Sequence, residues 1–306
     1  MSDAHDDEIE ASRAPLLDHL IELRSRLIKC VVALFLGFLV CFYFATPIYI
    51  FLVHPLKVAA EIIAVRATET EAKGFDFMAV VTSTKNMFLV LAGMKELPAK
   101  AVQIPTLIQT APLEFFYTKV KLAALGAIAL SFPVLAQQVY AFVAPGLYKR
   151  ERRAFLPFLL ASPILFLIGA AMVYYMILPF VLWFGLNQQI AGGPNGVSVQ
   201  SLPQVSAYLD LVTTLLLAFG LCFQLPVILA LLGMAGIITS KMLMAGWRYA
   251  VVAVVLVAAI VTPPDPISQI LLSVPIVGLY FISIGCVKLI ELRRRKDDEA
   301  EGLSPA

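Results

Sequence analysis

The chain has 306 residues, of which 60% are hydrophobic and only 14% are charged, and its mean hydropathy is +0.87. Soluble domains carry roughly 25% charged residues, so this composition excludes a soluble globular protein and indicates an integral membrane protein. The formal net charge of +2 gives no indication of a nucleic-acid partner, and we predict none.

The first 27 residues are more polar than the segment that follows. Residues 1–14 are acidic where a cleavable signal peptide would be basic, and we predict a disordered tail there. In residues 15–27, apolar side chains recur at helical spacing, with Glu22 and Arg24 on the remaining surface. This pattern predicts an amphipathic helix that lies at the membrane surface and leads into the first span.

The first span is predicted at residues 28–52, because a helix needs roughly 20 apolar residues to cross the bilayer. Arg24, Arg26 and Lys29 lie at the start of this segment and assign the N-terminus to the cytoplasm, where short connections collect basic residues. Residues 53–118 have mixed charges and several prolines, and their apolar run at 87–93 is far too short to span. We therefore predict an extended external loop at 53–118.

The remaining apolar segments predict five more spans. They lie at residues 121–142, 155–184, 208–232, 249–261 and 267–287. A proline inside a span predicts a kink, and we assign kinks to Pro133 and Pro226. The fifth span is short for a bilayer, which predicts local thinning or protein cover. Lys119 and Lys121 are expected to reach the outer interface by snorkelling.

Together these segments predict an all-α fold. We expect one polytopic membrane domain over residues 1–306, with six transmembrane helices and both termini cytoplasmic. Residues 288–306 contain Lys288 and a run of basic side chains at 293–296, and they are predicted to form a basic cytoplasmic tail. The four cysteines lie inside apolar runs without metal-ligand spacing, which is typical of buried hydrophobic residues.

The sequence contains no pattern for catalysis. It has no HExxH or GxSxG motif and no glycine-rich nucleotide loop, and none of its three histidines lies mid-membrane. Paired intramembrane histidines for haem are thereby excluded, and Asp210 has no second acid for an aspartyl dyad. We predict no enzyme activity, no cofactor and no metal site.

The remaining polar residues lie at distinct depths. Gln224 lies well inside the fourth span, Glu22 and Glu151 lie at the cytoplasmic face, and Asp265 lies at the outer tip between the last two spans. Taken singly, each is more often structural than functional. An intramembrane amide commonly joins two helices, and a carboxylate in a basic loop such as 149–153 is commonly neutralised by its neighbours.

Four motifs, taken together, resemble those of one family. The segments HLIELRSRL at 19–27 and FVAPGLYKRERR at 142–153 are similar to the N-terminal motif and first cytoplasmic loop of TatC, the core subunit of the twin-arginine protein translocase. The segments FGLCFQLPV at 219–227 and TPPDPISQ at 262–269 resemble its fourth-span and fifth-span signatures. The matches follow the family's order along the chain.

The resemblance implies a receptor with a concave helical wall in the bacterial inner membrane. By resemblance, Glu22, Glu151 and Arg24 form the site for a signal peptide that bears two adjacent arginines. The resemblance also implies assembly of several copies with the single-span proteins TatA and TatB, and translocation of folded precursors driven by the proton-motive force. Gln224 and Thr262 are expected to contact partner helices.

The external-loop motif implied by the resemblance contains Pro264 and Asp265. Two features depart from the family pattern. The loop at 54–109 is longer than the family norm, and position 224 is Gln where many members have Glu. The alternative interpretation is a small secondary transporter. Transporters usually have paired repeats and ionisable groups near the midplane, whereas the two halves of this chain are not similar.

Overall fold

The computed structural model describes residues 3–67, 82, 85–86, 88–90, 92–94, 107–143, 156–187, 204–261 and 266–300. Within these ranges the chain is almost entirely helical, as predicted. The helices are α1 (Asp3–Tyr43), α2 (Ala45–Ala67), α3 (Glu114–Val143), α4 (Leu156–Met172), α5 (Leu178–Asn187), α6 (Val205–Cys222), α7 (Leu225–Met234), α8 (Ser240–Ala245), α9 (Trp247–Val261) and α10 (Pro266–Ala300). A π-helical turn at Val173–Ile177 joins α4 to α5.

These helices form six membrane spans. Five segments are long and apolar enough to cross by themselves: α1, α3, α4 with α5, α6 with α7, and α10. Helix α9 is the fifth span in chain order, and its 15 residues rise about 22 Å, less than the roughly 30 Å hydrocarbon core. An even number of spans brings both termini to one side, which the basic residues assign to the cytoplasm. We call the cytoplasmic ends of the helices inner and the opposite ends outer.

The first span ends earlier than predicted. Helix α1 ends at Tyr43 and α2 begins at Ala45, because Pro47 in the first turn of α2 cannot donate a backbone hydrogen bond to the preceding turn. The predicted loop at 53–118 needs the same correction, since α2 continues to Ala67 and α3 begins at Glu114. Most of the segment between these two helices lies outside the described residues.

The N-terminal segment also differs from its prediction. Residues 3–14, expected to be disordered, and residues 15–27, expected to form a separate surface helix, both belong to α1. From residue 16 to residue 36 the sequence contains neither Gly nor Pro, so nothing interrupts the helical hydrogen-bond ladder. Helix α1 therefore continues from the predicted surface segment into the membrane without a break.

The buried apolar residues form a large outer cluster and a small inner one. The outer cluster joins α2, α3, the π-helical turn, α5, α6 and α10 through fully buried side chains that include Leu56, Leu122, Ile177 and Phe219. The inner cluster consists of Ala136, Tyr140, Val227 and Met234 with partly buried neighbours. The outer half of the bundle is thus the more extensively packed half.

Helices α1 and α3 pack closely in antiparallel orientation. A Cβ atom at Gly126 would lie 2.8 Å from the sulfur of Cys41, and one at Gly37 would lie 2.7 Å from the hydroxyl of Ser131. The Ser131 hydroxyl donates a 2.8 Å hydrogen bond to the carbonyl of Ala33. Small residues at such a contact let two membrane helices approach until backbone groups can accept hydrogen bonds from the neighbour.

The two predicted proline kinks differ in the structure. Helix α3 continues through Pro133. At Pro226 the fourth span is divided, because α6 ends at Cys222 and α7 begins at Leu225. The π-helical turn precedes Pro179, whose missing N–H and ring disfavour regular α-helix over the turn before it. The third span is therefore irregular in the turn before Pro179.

Candidate functional site

Glu22 lies at the inner membrane interface. It precedes the outer end of α1 at Tyr43 by about 32 Å along the helix axis, which matches the thickness of the hydrocarbon core. Its carboxylate forms an ion pair with Arg26, one helical turn further along. The side chain of Glu22 is 40% exposed and that of Arg26 is 19% exposed. Arg24, which points elsewhere on the helix surface, is exposed.

The packing of α1 on α3 sets what lies beside Glu22. Less exposed residues recur along α1 at 22, 26, 30, 33, 37 and 41, and the last three of these contact α3. The register that pairs Ala33 with Ser131 and Cys41 with Gly126 places Glu22 level with the inner end of α3 at Val143. Glu151 belongs to the segment that follows α3, at 144–155, and lies outside the described residues.

Gln224 occupies the break between α6 and α7 and is 6% exposed. Its side-chain carbonyl accepts a 2.5 Å hydrogen bond from the hydroxyl of Ser162 on α4, and its amide nitrogen donates to the Ser162 carbonyl at 3.0 Å. A longer bond, 3.4 Å, runs from the same nitrogen to the carbonyl of Gly220. The amide therefore bonds within the chain, rather than lying on an open face of the fourth span.

Sequence reasoning missed the partners of Gln224. Ser162 is buried on α4, and its hydroxyl is also within hydrogen-bonding reach of the phenol of Tyr140 on α3. The three side chains join the second, third and fourth spans at one depth. The signal that could have found them is that each of three neighbouring apolar segments carries a polar side chain in its inner half.

Thr262, Pro264 and Asp265 lie in the connection at 262–265, outside the described residues. The helices on either side of it, α9 and α10, enclose a groove of about 500 Å³ lined mainly by apolar side chains: Val251, Val255, Gln269, Ile270, Ser273, Val274 and Val277. The amide of Gln269 donates a 3.2 Å hydrogen bond to the carbonyl of Val255 and supplies a polar group at one end of the groove.

At the outer ends, a buried carboxylate joins the loop at 107–113 to α6. Glu114 accepts hydrogen bonds from the backbone N–H of Thr110 at 2.6 Å, of Ala111 at 3.1 Å and of Ser206 at 3.1 Å, and from the Thr110 hydroxyl at 3.0 Å. Ser206 lies in the first turn of α6, whose N–H groups have no helical partner and favour a negative charge. Glu114 thus caps a helix distant in sequence.

Lys121 has a partner that the sequence did not reveal. Its ammonium group contacts both carboxylate oxygens of Asp210, at 2.8 and 3.1 Å, between the outer parts of α3 and α6. The two side chains are 56% and 50% exposed. Pairing, in addition to snorkelling, therefore accommodates this lysine in the outer leaflet.

These groups are suited to binding and helix packing. Within the described ranges, no cluster of His, Cys, Asp and Glu could hold a metal ion. The carboxylate of Glu22 at an aqueous interface can pair with a cationic ligand, and a planar guanidinium fits a carboxylate better than an ammonium group does.

Comparisons with known proteins agree on one family. A family model described as Sec-independent protein translocase protein (TatC) matches residues 18–275. Relatives described as Sec-independent protein translocase protein TatC include those of Magnetococcus marinus, 35% identical over 94% of this chain and 89% of the relative, and Haemophilus influenzae, 36% identical over 94% and 92%. That of Escherichia coli K12 is 34% identical over 88% and 86%. A crystal structure of the twin-arginine translocase receptor TatC superposes with a TM-score of 0.65 and 29% identity, over 89% of this chain and 99% of that one.

Proposed function

Because this chain belongs to the TatC family of Sec-independent protein translocase proteins, we propose that its inner face binds the twin-arginine signal peptides of folded precursors. The chain is a non-enzymatic membrane component of protein translocation, and a secondary transporter is not favoured. We place it in the bacterial inner membrane, where a signal peptide would approach from the cytoplasm.

The position of Glu22 carries this proposal. Its carboxylate lies at the inner interface and is level with the end of α3, from which the loop bearing Glu151 continues. Two carboxylates supplied by α1 and by this loop would match two adjacent guanidinium groups. Arg24, exposed on the same turn of α1, would lie beside the signal and help to set its orientation.

The energies indicate how the binding free energy is divided. Two hydrogen bonds to charged groups contribute roughly 3–6 kcal/mol, whereas micromolar affinity requires about 8 kcal/mol. The arginine pair would therefore fix the register of the signal peptide. Packing of its apolar segment along the spans would supply the remaining free energy.

We propose TatA and TatB, or single-span helices of the same kind, as the membrane partners. The groove between α9 and α10 supports this proposal, since it is apolar and has the amide of Gln269 at one end. Thr262 follows directly after α9 and would lie near such a helix. Gln224 would act less directly, by holding α4 against the break between α6 and α7.

Site-specific crosslinking of a precursor tests the signal site. We expect Glu22→Gln and Glu151→Gln each to weaken crosslinking of a twin-arginine precursor at least tenfold. Each substitution removes a negative charge while keeping the size of the side chain. Glu291→Gln is the matched control: this inner-side carboxylate accepts a 2.8 Å hydrogen bond from the backbone N–H of Ser240 and holds α8 against α10. Full crosslinking in both site variants would contradict the carboxylate site.

A further inference from the structure

Glu22 is already engaged by a guanidinium of its own chain. Two nitrogens of Arg26, Nε at 3.2 Å and Nη2, donate to the same carboxylate oxygen of Glu22. The pair has the favourable order for a helix, with the acid four residues before the base. An arginine is thus present at the carboxylate that a signal arginine would need.

The placement of Arg26 makes this contact persistent. Glu22 and Arg26 share the less exposed stripe of α1 that faces α3 further along, and the Arg26 side chain is only 19% exposed. Lys29, the next cation along the helix, is exposed and forms no ion pair within the described residues. Arg26 therefore differs from its basic neighbours in that its side chain is less exposed and forms an ion pair.

We infer that Arg26 is an internal competitor for Glu22, so that a signal peptide binds by exchanging its guanidinium for that of Arg26. This inference rests on the proposed function, because it needs Glu22 to be a signal contact. The exchange replaces one carboxylate–guanidinium pair by another, so the half-exposed carboxylate of Glu22 stays paired while the guanidinium of Arg26 is released.

The exchange sets the absolute affinity of the site. A competing internal contact lowers the fraction of sites that are free to bind a ligand. The apparent dissociation constant rises by the inverse of that fraction, by the same factor for every cationic ligand. The ratio between an arginine pair and a lysine pair is unchanged. For weak cationic ligands, such as a single arginine or a lysine pair, the raised dissociation constant exceeds the ligand concentration, and the site stays unoccupied.

The experiment measures binding of a fluorescent synthetic twin-arginine signal peptide to the full chain in lipid nanodiscs. Because partly exposed ion pairs of this kind are weak, we expect Arg26→Gln to lower the dissociation constant only about two- to fivefold. Lys29→Gln, which removes the same charge without breaking the pair, should change it by less than half as much. Arg26→Lys, which keeps the charge but loses the fork, should lie between Arg26→Gln and the parent chain.

Repeating the substitutions in a Glu22→Gln background separates the two hypotheses. There Arg26→Gln should have no more effect than Lys29→Gln, because the pair no longer exists. Weaker binding by Arg26→Gln in the parent chain, or an effect equal to that of Lys29→Gln, would overturn the inference and leave Glu22 as a signal contact. Unchanged binding in Glu22→Gln alone would instead overturn the proposed signal site, and the inference with it.

Discussion

The phenol of Tyr174 donates a 3.0 Å hydrogen bond to the backbone carbonyl of Phe51, the acceptor that Pro55 leaves without a helical donor. Proline has no N–H, so the carbonyl four residues before it has no partner in its own helix. Tyr208 donates a further hydrogen bond, 2.6 Å, to the carbonyl of Leu52, one residue later. Two tyrosines from the third and fourth spans therefore bond the backbone of α2 in the turn before its proline.

We expect Tyr174→Phe to lower the free energy of unfolding by about 1–3 kcal/mol, because it leaves the carbonyl of Phe51 without a donor in an apolar setting. Thermal unfolding in detergent measures the change. Tyr175→Phe is the matched control, since Tyr175 packs edge-on against Tyr174 and no hydrogen bond of its hydroxyl is seen within the described residues. Equal melting temperatures for the two variants would remove the proposed role of the hydroxyl.

A second prediction concerns Gln224. Gln224→Leu should lower the free energy of unfolding by about 0.6–1.7 kcal/mol, the range measured for hydrogen bonds between membrane helices. Gln224→Glu should be tolerated, because a protonated acid can accept from the Ser162 hydroxyl and donate to the Ser162 carbonyl. A double-mutant cycle with Ser162→Ala provides the measurement. Strictly additive effects would mean that the two side chains do not act together.

Close packing of α4 on α6 gives a third prediction. A Cβ atom at Gly220 would lie 2.5 Å from the ring of Phe166, which is buried and stacked on Phe132. Gly220→Ala should therefore cost about 1–3 kcal/mol of stability through overpacking. Gly285→Ala, with open space around its Cβ, should be neutral or stabilising by up to about 1 kcal/mol. Adding Phe166→Leu should recover part of the loss in thermal unfolding experiments.

The ion pair between Lys121 and Asp210 gives a fourth prediction. Lys121 lies about 10 Å along α3 from its outer end, so removing one charge leaves the other unpaired in the outer leaflet. Lys121→Met or Asp210→Leu alone should cost about 1–3 kcal/mol, and the double variant should recover most of it. The amount of folded protein in isolated membranes reports the effect. A double variant no better than the worse single variant would exclude the pairing.

The spans were predictable where apolar runs end at charged or turn-rich segments. The third and fourth spans were predicted at 155–184 and 208–232 and are observed at 156–187 and 205–234. The prediction of the first span was wrong at its outer end because the apolar run continues through Phe44 into α2. Leu52 and Leu56 are buried inside the protein, and apolar side chains are equally suited to a protein interior and to contact with lipid. Pro47 was the local signal for the break.

Candidate site residues could be proposed from the sequence, but their partners on other helices could not. The spacing of Glu22 and Arg26 already places them on one face of a helix. Ser162 and Gln224 lie 62 residues apart, and Lys121 and Asp210 lie 89 apart. Such pairs depend on how deeply and at what angle two helices pack, which periodicity along one helix does not determine.

The contacts of Glu114 impose an order on the assembly of the bundle. Its hydrogen bonds to Thr110 and Ala111 join residues three or four apart and can form as soon as this part of the chain has been synthesised. Its bond to Ser206 spans 92 residues, which at 5–20 residues per second takes roughly 5–20 s to synthesise. During that interval the third span must enter the membrane and the fourth must begin to follow. The outer rim between the second and fourth spans is therefore closed late in biogenesis, when the arrival of α6 supplies the last donor to a carboxylate that is already in place.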